Sequence, residues 1–356
     1  MSIAILFNGA ASYIAQEAGI LDLLLGNIEG VPGVGLNSQD VKFVGGLSSG
    51  ALMSFTFNAA FCNPPKLSWD EFKQNTLFNM TTDKVYTGGK PFDTSPLREL
   101  LKNMTKQVGF NLIKDLPFDS AILATNVYFE GLKLQTKTYW LTNIAKVASV
   151  LPSQTDELAI AKNIKEHQLE IGLVSSLMCS TAIPQTFPPQ KLYYKGNLPL
   201  PLPIKNDVGI AANFVDGGAG DGLVFSDYQE FFEIYGEKFD KIYFISPNFA
   251  KTEAEALQRI SLAKRSEVLE EEGEEQEEPA IDPLLIMDTW TKEFLKNIKA
   301  YNSEGRLANT IYYCKPEVEG FNPLDFSKEK EQYDATIAWG KNNPNNIAID
   351  INSITL

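Results

Sequence analysis

Gly46-Leu47-Ser48-Ser49-Gly50 sets a serine between two glycines at the spacing of a nucleophile elbow, the sharp strand-to-helix turn that lifts a hydroxyl out of a sheet. Small residues two before and two after the serine let neighbouring backbone approach without a Cβ clash. Such a hydroxyl attacks a carbonyl carbon only if a base takes its proton, and the base is what this sequence restricts most. There is one histidine, His167, in the charged helical stretch KNIKEHQLE, where it reads as a solvated surface residue without a role. The order serine, acid, histidine would put the imidazole on a helix end, and the reverse order has no histidine before the serine, so no triad is expected. What remains is a carboxylate acting directly on the hydroxyl. Phe214-Val215-Asp216-Gly217-Gly218 supplies one at the end of an apolar run, which makes Asp216 the candidate base. Taken singly, each motif also has a plainer reading: a Gly-rich turn with an idle serine, and an Asp-initiated turn.

The elements around these residues alternate. Ile3 to Phe7 is a short apolar run closed by Asn8-Gly9, a buried strand and its turn, and Ile14, Ala18, Leu21 and Leu25 then recur at helical spacing. Val41 to Val44 precedes GGLSSG and the apolar helix ALMSFTFNAAF, a second strand-turn-helix unit. Ala121 to Tyr128 and the alternating run from Leu132 to Trp140 read as strands, and Asp156 to Leu177 as helix. Gly209 to Val215, Lys241 to Ser246 and Asn309 to Cys314 read as strands; Tyr228 to Tyr235, Leu284 to Tyr301 and Lys328 to Trp339 read as helices. The alternation predicts an α/β fold with a mostly parallel central sheet covered by helices on both faces, its ligands beyond the carboxyl ends of the strands.

Composition narrows the classes further. The chain has 356 residues and a net charge of −14, which excludes binding nucleic acid through phosphate neutralisation. Residues 266–279, SEVLEEEGEEQEEP, hold 8 glutamates and read as a disordered acidic insertion. Cys62, Cys179 and Cys314 lie far apart without paired spacing, so neither a metal site nor a disulfide framework is expected. No charge-free apolar stretch of about 18 residues and no secretion signal is evident, which gives the expectation of a cytoplasmic protein whose membrane contact, if any, is peripheral. Leu198 to Ile204, LPLPLPI, reads as an apolar surface loop, because proline cannot serve a sheet interior.

Several of these segments together resemble the patatin-like phospholipase family, whose lipid acyl hydrolases use a Ser-Asp dyad without histidine. GGLSSGAL is similar to that family's elbow, VDGG to its D-G-G/A element, and Cys179 to Pro184 followed by Phe187-Pro188-Pro189 to its A-S-x-A-x-P…F-x-P segment; TSPLRELL (94–101) and residues 121–131 are similar as well. The resemblance covers roughly residues 3–246. It implies a three-layer α/β/α patatin-like fold, one domain over residues 1–356 with the motifs in 1–250 and the elements of 284–356 packed on the same domain. It also implies Ser48 as nucleophile and Asp216 as base, with Gly46 and Gly50 shaping the elbow, no cofactor and no metal, and a lipid or small ester as substrate. The amides of Gly9, Ala10 and Ala11 would form the oxyanion hole.

Two stretches depart from the family pattern. Gly9-Ala10-Ala11-Ser12-Tyr13-Ile14 stands where the family has G-G-G-x-R/K-G, and Ala219-Gly220-Asp221-Gly222 stands where it has an asparagine-proline element. Alanine presents its N–H there without strain only if φ is negative. Two readings follow: a lipid acyl hydrolase of the phospholipase A or lysophospholipase kind, or a catalytically weak lipid-binding or regulatory module left by a degenerate oxyanion loop.

Overall fold

The computed structural model describes residues 1–9, 11–31, 33–130, 133–148, 167–184, 186–194, 198–199, 213–218, 225–247 and 283–354. The acidic run 266–279, residues 209–212 of the strand expected from Gly209 and residues 156–166 of the helix expected over 156–177 lie outside them; the described part of that helix is instead a 3-10 turn over Gln168–Glu170 and an α-helix that begins at Leu173.

The first unit forms as its spacing predicts. Strand β1 (Ile3–Phe7) is buried along its whole length, and helix α1 (Ile14–Leu25) follows a single 3-10 turn over Ala11–Tyr13. Strand β2 (Val41–Leu47) runs three residues past the expected end at Val44, and helix α2 (Ser49–Phe61) starts directly after Ser48. Then come helix α3 (Ser95–Val108), strands β3 (Asp119–Glu130) and β4 (Lys133–Thr142), helix α4 (Leu173–Ser180), strand β5 (Asn213–Asp216), helix α5 (Phe225–Tyr235) and strand β6 (Phe239–Ile245). Helix α6 (Pro283–Tyr301), strand β7 (Ala308–Cys314), helix α7 (Glu329–Asn342) and the two-residue strand β8 (Ile349–Asp350) follow, and shorter helical turns lie between these elements.

The central sheet is mixed and mostly parallel. Its order is β8-β7-β6-β1-β2-β3-β4, and the five inner strands, β7 through β3, run parallel. Antiparallel pairing is confined to β8 on β7 and to the far end, where β4 and β5 both pair with β3. Helices cover both faces, as the period of two in β1 requires. Ala4 and Leu6 turn to one side with Phe231, Phe294 and Ile298 of α5 and α6. Ile3, Ile5 and Phe7 turn to the other, with Leu21 of α1, Phe57 of α2 and Trp339 of α7. A neighbouring cluster on α2, α3 and α4 packs against Ile122, Ala124 and Phe214. Burial of a large apolar side chain is worth about 1.5–3 kcal/mol, so these layers hold the inner strands firmly in register.

The register at β3 positions everything that follows. β2 pairs with the first part of β3 up to Leu47 opposite Leu123. β5 pairs with the next stretch from the other direction, ending with Asp216 opposite Ala124. The ends of β2 and β5 therefore meet head to head along one edge of β3. The Leu-Pro run is a strand where it is described: Leu198–Pro199 pairs antiparallel with Tyr193–Tyr194, which corrects the expectation of a loop for those two residues. Proline is tolerated there because a two-stranded ribbon is all edge. Among the described residues no helix is long and apolar enough to cross a membrane.

Candidate functional site

Ser48 occupies the turn between β2 and α2 with φ 54° and ψ −133°, a conformation that side chains other than glycine rarely adopt. Such strain costs about 1–3 kcal/mol and persists only where the surroundings impose it. Here they do. A Cβ on Gly46 would stand 2.2 Å from the carbonyl oxygen of Gly50, and one on Gly50 would stand 2.3 Å from that of Phe7. The glycines allow β1, β2 and α2 to close around the serine. The Ser48 N–H donates to Oγ of Ser180, the last residue of α4, at 3.0 Å. Ser180 is fully buried, so this bond ties the elbow to a second helix.

Asp216 ends β5 one β3 residue beyond the end of β2, which brings its carboxyl to the Ser48 side chain. Both residues are 5% exposed. The backbone N–H of Asp216 donates to Ala182 O at 2.9 Å, and the Gly218 N–H donates to Asp216 Oδ1 at 2.9 Å, fixing the carboxyl from two sides. Burial pushes the carboxyl up to about 6, while the Ser48 hydroxyl and the Gly218 amide pull in the opposite direction by favouring its charged form. Oδ2 is buried without a completed hydrogen bond. The hydroxyl is thus near enough to influence the acid without satisfying it, a looseness common at such pairs before substrate arrives.

The first turn behaves differently from the sequence expectation. Gly9 has its N–H committed: it donates at 2.8 Å to Oε1 of Glu17, a residue of α1 with no exposed surface. While that bond stands, Gly9 cannot serve an oxyanion, which corrects its assignment to the hole. Ala10 lies outside the described residues. Ala11 adopts φ 50°, so the negative φ expected of an alanine in this turn is not what the chain uses. The left-handed conformation costs an alanine about 1–2 kcal/mol. Glu17 Oε2 has no hydrogen-bond partner, and burial raises this carboxyl to about 8 against the opposing pull of the Gly9 amide.

Ser48 also opens onto an apolar cleft. Ala11, Leu52, Phe55, Leu97, Leu101, Met104, Phe187 and Phe326 line it, and Glu329 at the start of α7 does too. His167 stays apart from this cleft, partly exposed and stacked on Tyr194 with ring centroids 4.5 Å apart. The three cysteines are buried and free.

Ser180, Glu17 and Glu329 were not singled out from the sequence. Ser180 sits within the quoted Cys179–Pro184 segment, so position could have found it. Glu17 falls on the same helical face as Ile14, Ala18 and Leu21, an acid on an apolar stripe, which is itself a signal.

No protein-family model matches the chain. Among curated proteins it is 23% identical over 202 residues to the uncharacterized protein L620 of Acanthamoeba polyphaga mimivirus, across 52% of this chain and 53% of that protein. The chain spans about half the length of the curated relative it matches. Among solved structures it is similar to VipD from Legionella pneumophila at TM-score 0.30 and 12% identity, over 95% of this chain and 66% of that one. So loose a superposition does not establish a common fold.

Proposed function

We propose that this chain is a serine hydrolase of the patatin-like kind, cleaving fatty acyl esters through Ser48 and Asp216. The observation that carries the reading is the strained, buried Ser48 elbow beside a desolvated Asp216, with Ser48 opening on an apolar cleft. In this mechanism the Ser48 hydroxyl attacks the ester carbonyl while Asp216 takes its proton. The alcohol leaves with that proton, and water then releases the fatty acid from the acyl-serine. An aspartate of ordinary acidity, near 3.9, is a weak base at neutral pH. Burial of Asp216 narrows that gap. Ala10 and Ala11 amides are the proposed oxyanion donors. Removal of one such donor costs about 2.7–4 kcal/mol of transition-state stabilisation in a studied protease.

That last number gives weight to a second reading. With Gly9 committed and Ala11 left-handed, the protein could instead hold lipid in the same cleft with little turnover. Labelling by a fluorescent phosphonate and turnover of medium-chain nitrophenyl esters, each compared with Ser48→Ala, separate the two. Labelling and hydrolysis that vanish in the variant support the hydrolase. Equal signals in both proteins reject the dyad, and lipid binding without labelling selects the second reading.

A further inference from the structure

The cleft that receives Ser48 contains one group that its apolar walls do not explain. Glu329 is the first residue of α7 and is 2% exposed, yet neither carboxyl oxygen completes a hydrogen bond. It shares the cleft with Leu97, Leu101, Met104 and Phe326. A buried polar group without a partner costs about 1–3 kcal/mol, and in a binding cleft the natural partner is a ligand atom.

Its charge state limits what that atom can be. Burial is the main influence on the Glu329 carboxyl and raises it to about 8, with Asp325 and Glu331 adding to the rise and the backbone amides of Lys328 and Glu329 opposing it. Burial therefore favours the neutral acid, which has an O–H to give and a carbonyl oxygen to accept. An alcohol oxygen matches both. A hydrocarbon matches neither, and an ammonium ion would require the charged form.

We propose that Glu329 selects substrates whose acyl chain carries a hydroxyl group, by hydrogen-bonding that hydroxyl within the cleft. The proposal rests on the reading of Ser48 as nucleophile and assigns the hydroxyl to the acyl part, since that is the part of an ester for which an apolar cleft is built. A site whose buried polar group is satisfied only by a substrate hydroxyl rejects the analogue that lacks it.

The test is a series of 4-nitrophenyl decanoates, unsubstituted, hydroxylated at successive carbons, or aminated, hydrolysed by the wild type, Glu329→Gln and Glu329→Leu. The wild type should prefer one hydroxylated ester about 10- to 100-fold in kcat/KM. Gln, which still donates and accepts, should keep much of that preference; Leu should abolish it, read as the ratio of hydroxylated to plain decanoate. An unchanged ratio in Glu329→Leu, or a wild-type preference for the aminated ester, overturns the proposal. Calorimetric titration with decanol and with decanediols separates this outcome from failure of the Ser48 reading. If no ester turns over, tighter diol binding by the wild type that is lost in Glu329→Leu still supports the selection, and equal binding refutes it. Replacing a buried acid with leucine is expected to leave folding intact, which thermal melting checks.

Discussion

Replacing Glu17 with glutamine should change how stability depends on pH. Glu17 is fully buried, accepts one bond from Gly9, and has its carboxyl raised from 4.5 to about 8 by burial. The folded protein therefore holds this proton through a pH range where the unfolded chain has lost it. The resulting stability is fully present below pH 4.5, drains as pH rises, and is gone once pH has passed about 8. Each pH unit of that span is worth about 1.4 kcal/mol, so the whole span is worth at most about 5 kcal/mol. Glutamine retains an oxygen for the Gly9 amide and cannot ionise. It also introduces a buried amide donor, which should cost the variant about 1–3 kcal/mol at pH 4.5. The variant should therefore begin less stable and overtake the wild type as pH climbs. Urea unfolding of both proteins at intervals from pH 4.5 to 8.5 measures this, with Asp216 and Glu329 cancelling in the difference because both proteins carry them. Parallel curves across the whole range would refute the reasoning, since they would mean that Glu17 does not exchange its proton on folding.

The other predictions concern the elbow and its supports. With Asp216 raised to about 6 by burial, ester hydrolysis by the dyad should climb with pH through about 6 and then level off; kcat/KM falling about tenfold per pH unit below that point is the expected acid limb. Ser180→Ala strips the Ser48 N–H of its 3.0 Å partner, and should cost about 1–3 kcal/mol in urea unfolding and slow phosphonate labelling; wild-type behaviour in both assays would show the bond to be idle. Asp22 accepts from Trp69 Nε1 at 2.7 Å, Lys73 Nζ at 2.6 Å and the Tyr333 hydroxyl at 2.6 Å, tying α1 to α7. Asp22→Asn should lower stability by about 3 kcal/mol, the low end for a broken buried pair, because Lys73 keeps Asp70 at 3.0 Å; a loss under about 1 kcal/mol would contradict that.

Much of the frame was legible because a sheet covered on both faces demands apolar strands, and β1, β6 and β7 are short apolar runs bounded by turn residues. The end of β2 was not, because Gly45 and Gly46 carry no strand signal; pairing with Leu6 and Phe7 of β1 on one side and Ala121 and Ile122 of β3 on the other keeps them in the ladder. Strand direction was also hidden. β5 has the apolar pattern of any buried strand, and only its pairing with β3 shows it to be antiparallel. The two chemical motifs could be read as residues but not as neighbours, since 168 positions separate Ser48 from Asp216 and a shared edge on β3 joins them. Glu329 was invisible for a different reason: an acid in the first turn of a helix is favourable and usually exposed, so nothing marks it as buried.

The distribution of cost in the molecule bears on the plainer reading of an idle Gly-rich turn. Ser48 and Ala11 hold positive φ, and Asp216, Glu17 and Glu329 each bury a carboxyl oxygen without a hydrogen bond. These are the two non-glycine residues with positive φ among those described. All five gather about one elbow, its first turn and the cleft beside it. A turn that merely connected β2 to α2 would gain nothing from three desolvated acids, and the same backbone path could be lined with leucine and glutamine at higher stability. Desolvated acids gathered at one place are what a site tuned for proton transfer and selective binding requires, because a carboxyl surrounded by water and partners would be too weak a base and too indifferent a hydrogen-bonding group to do either.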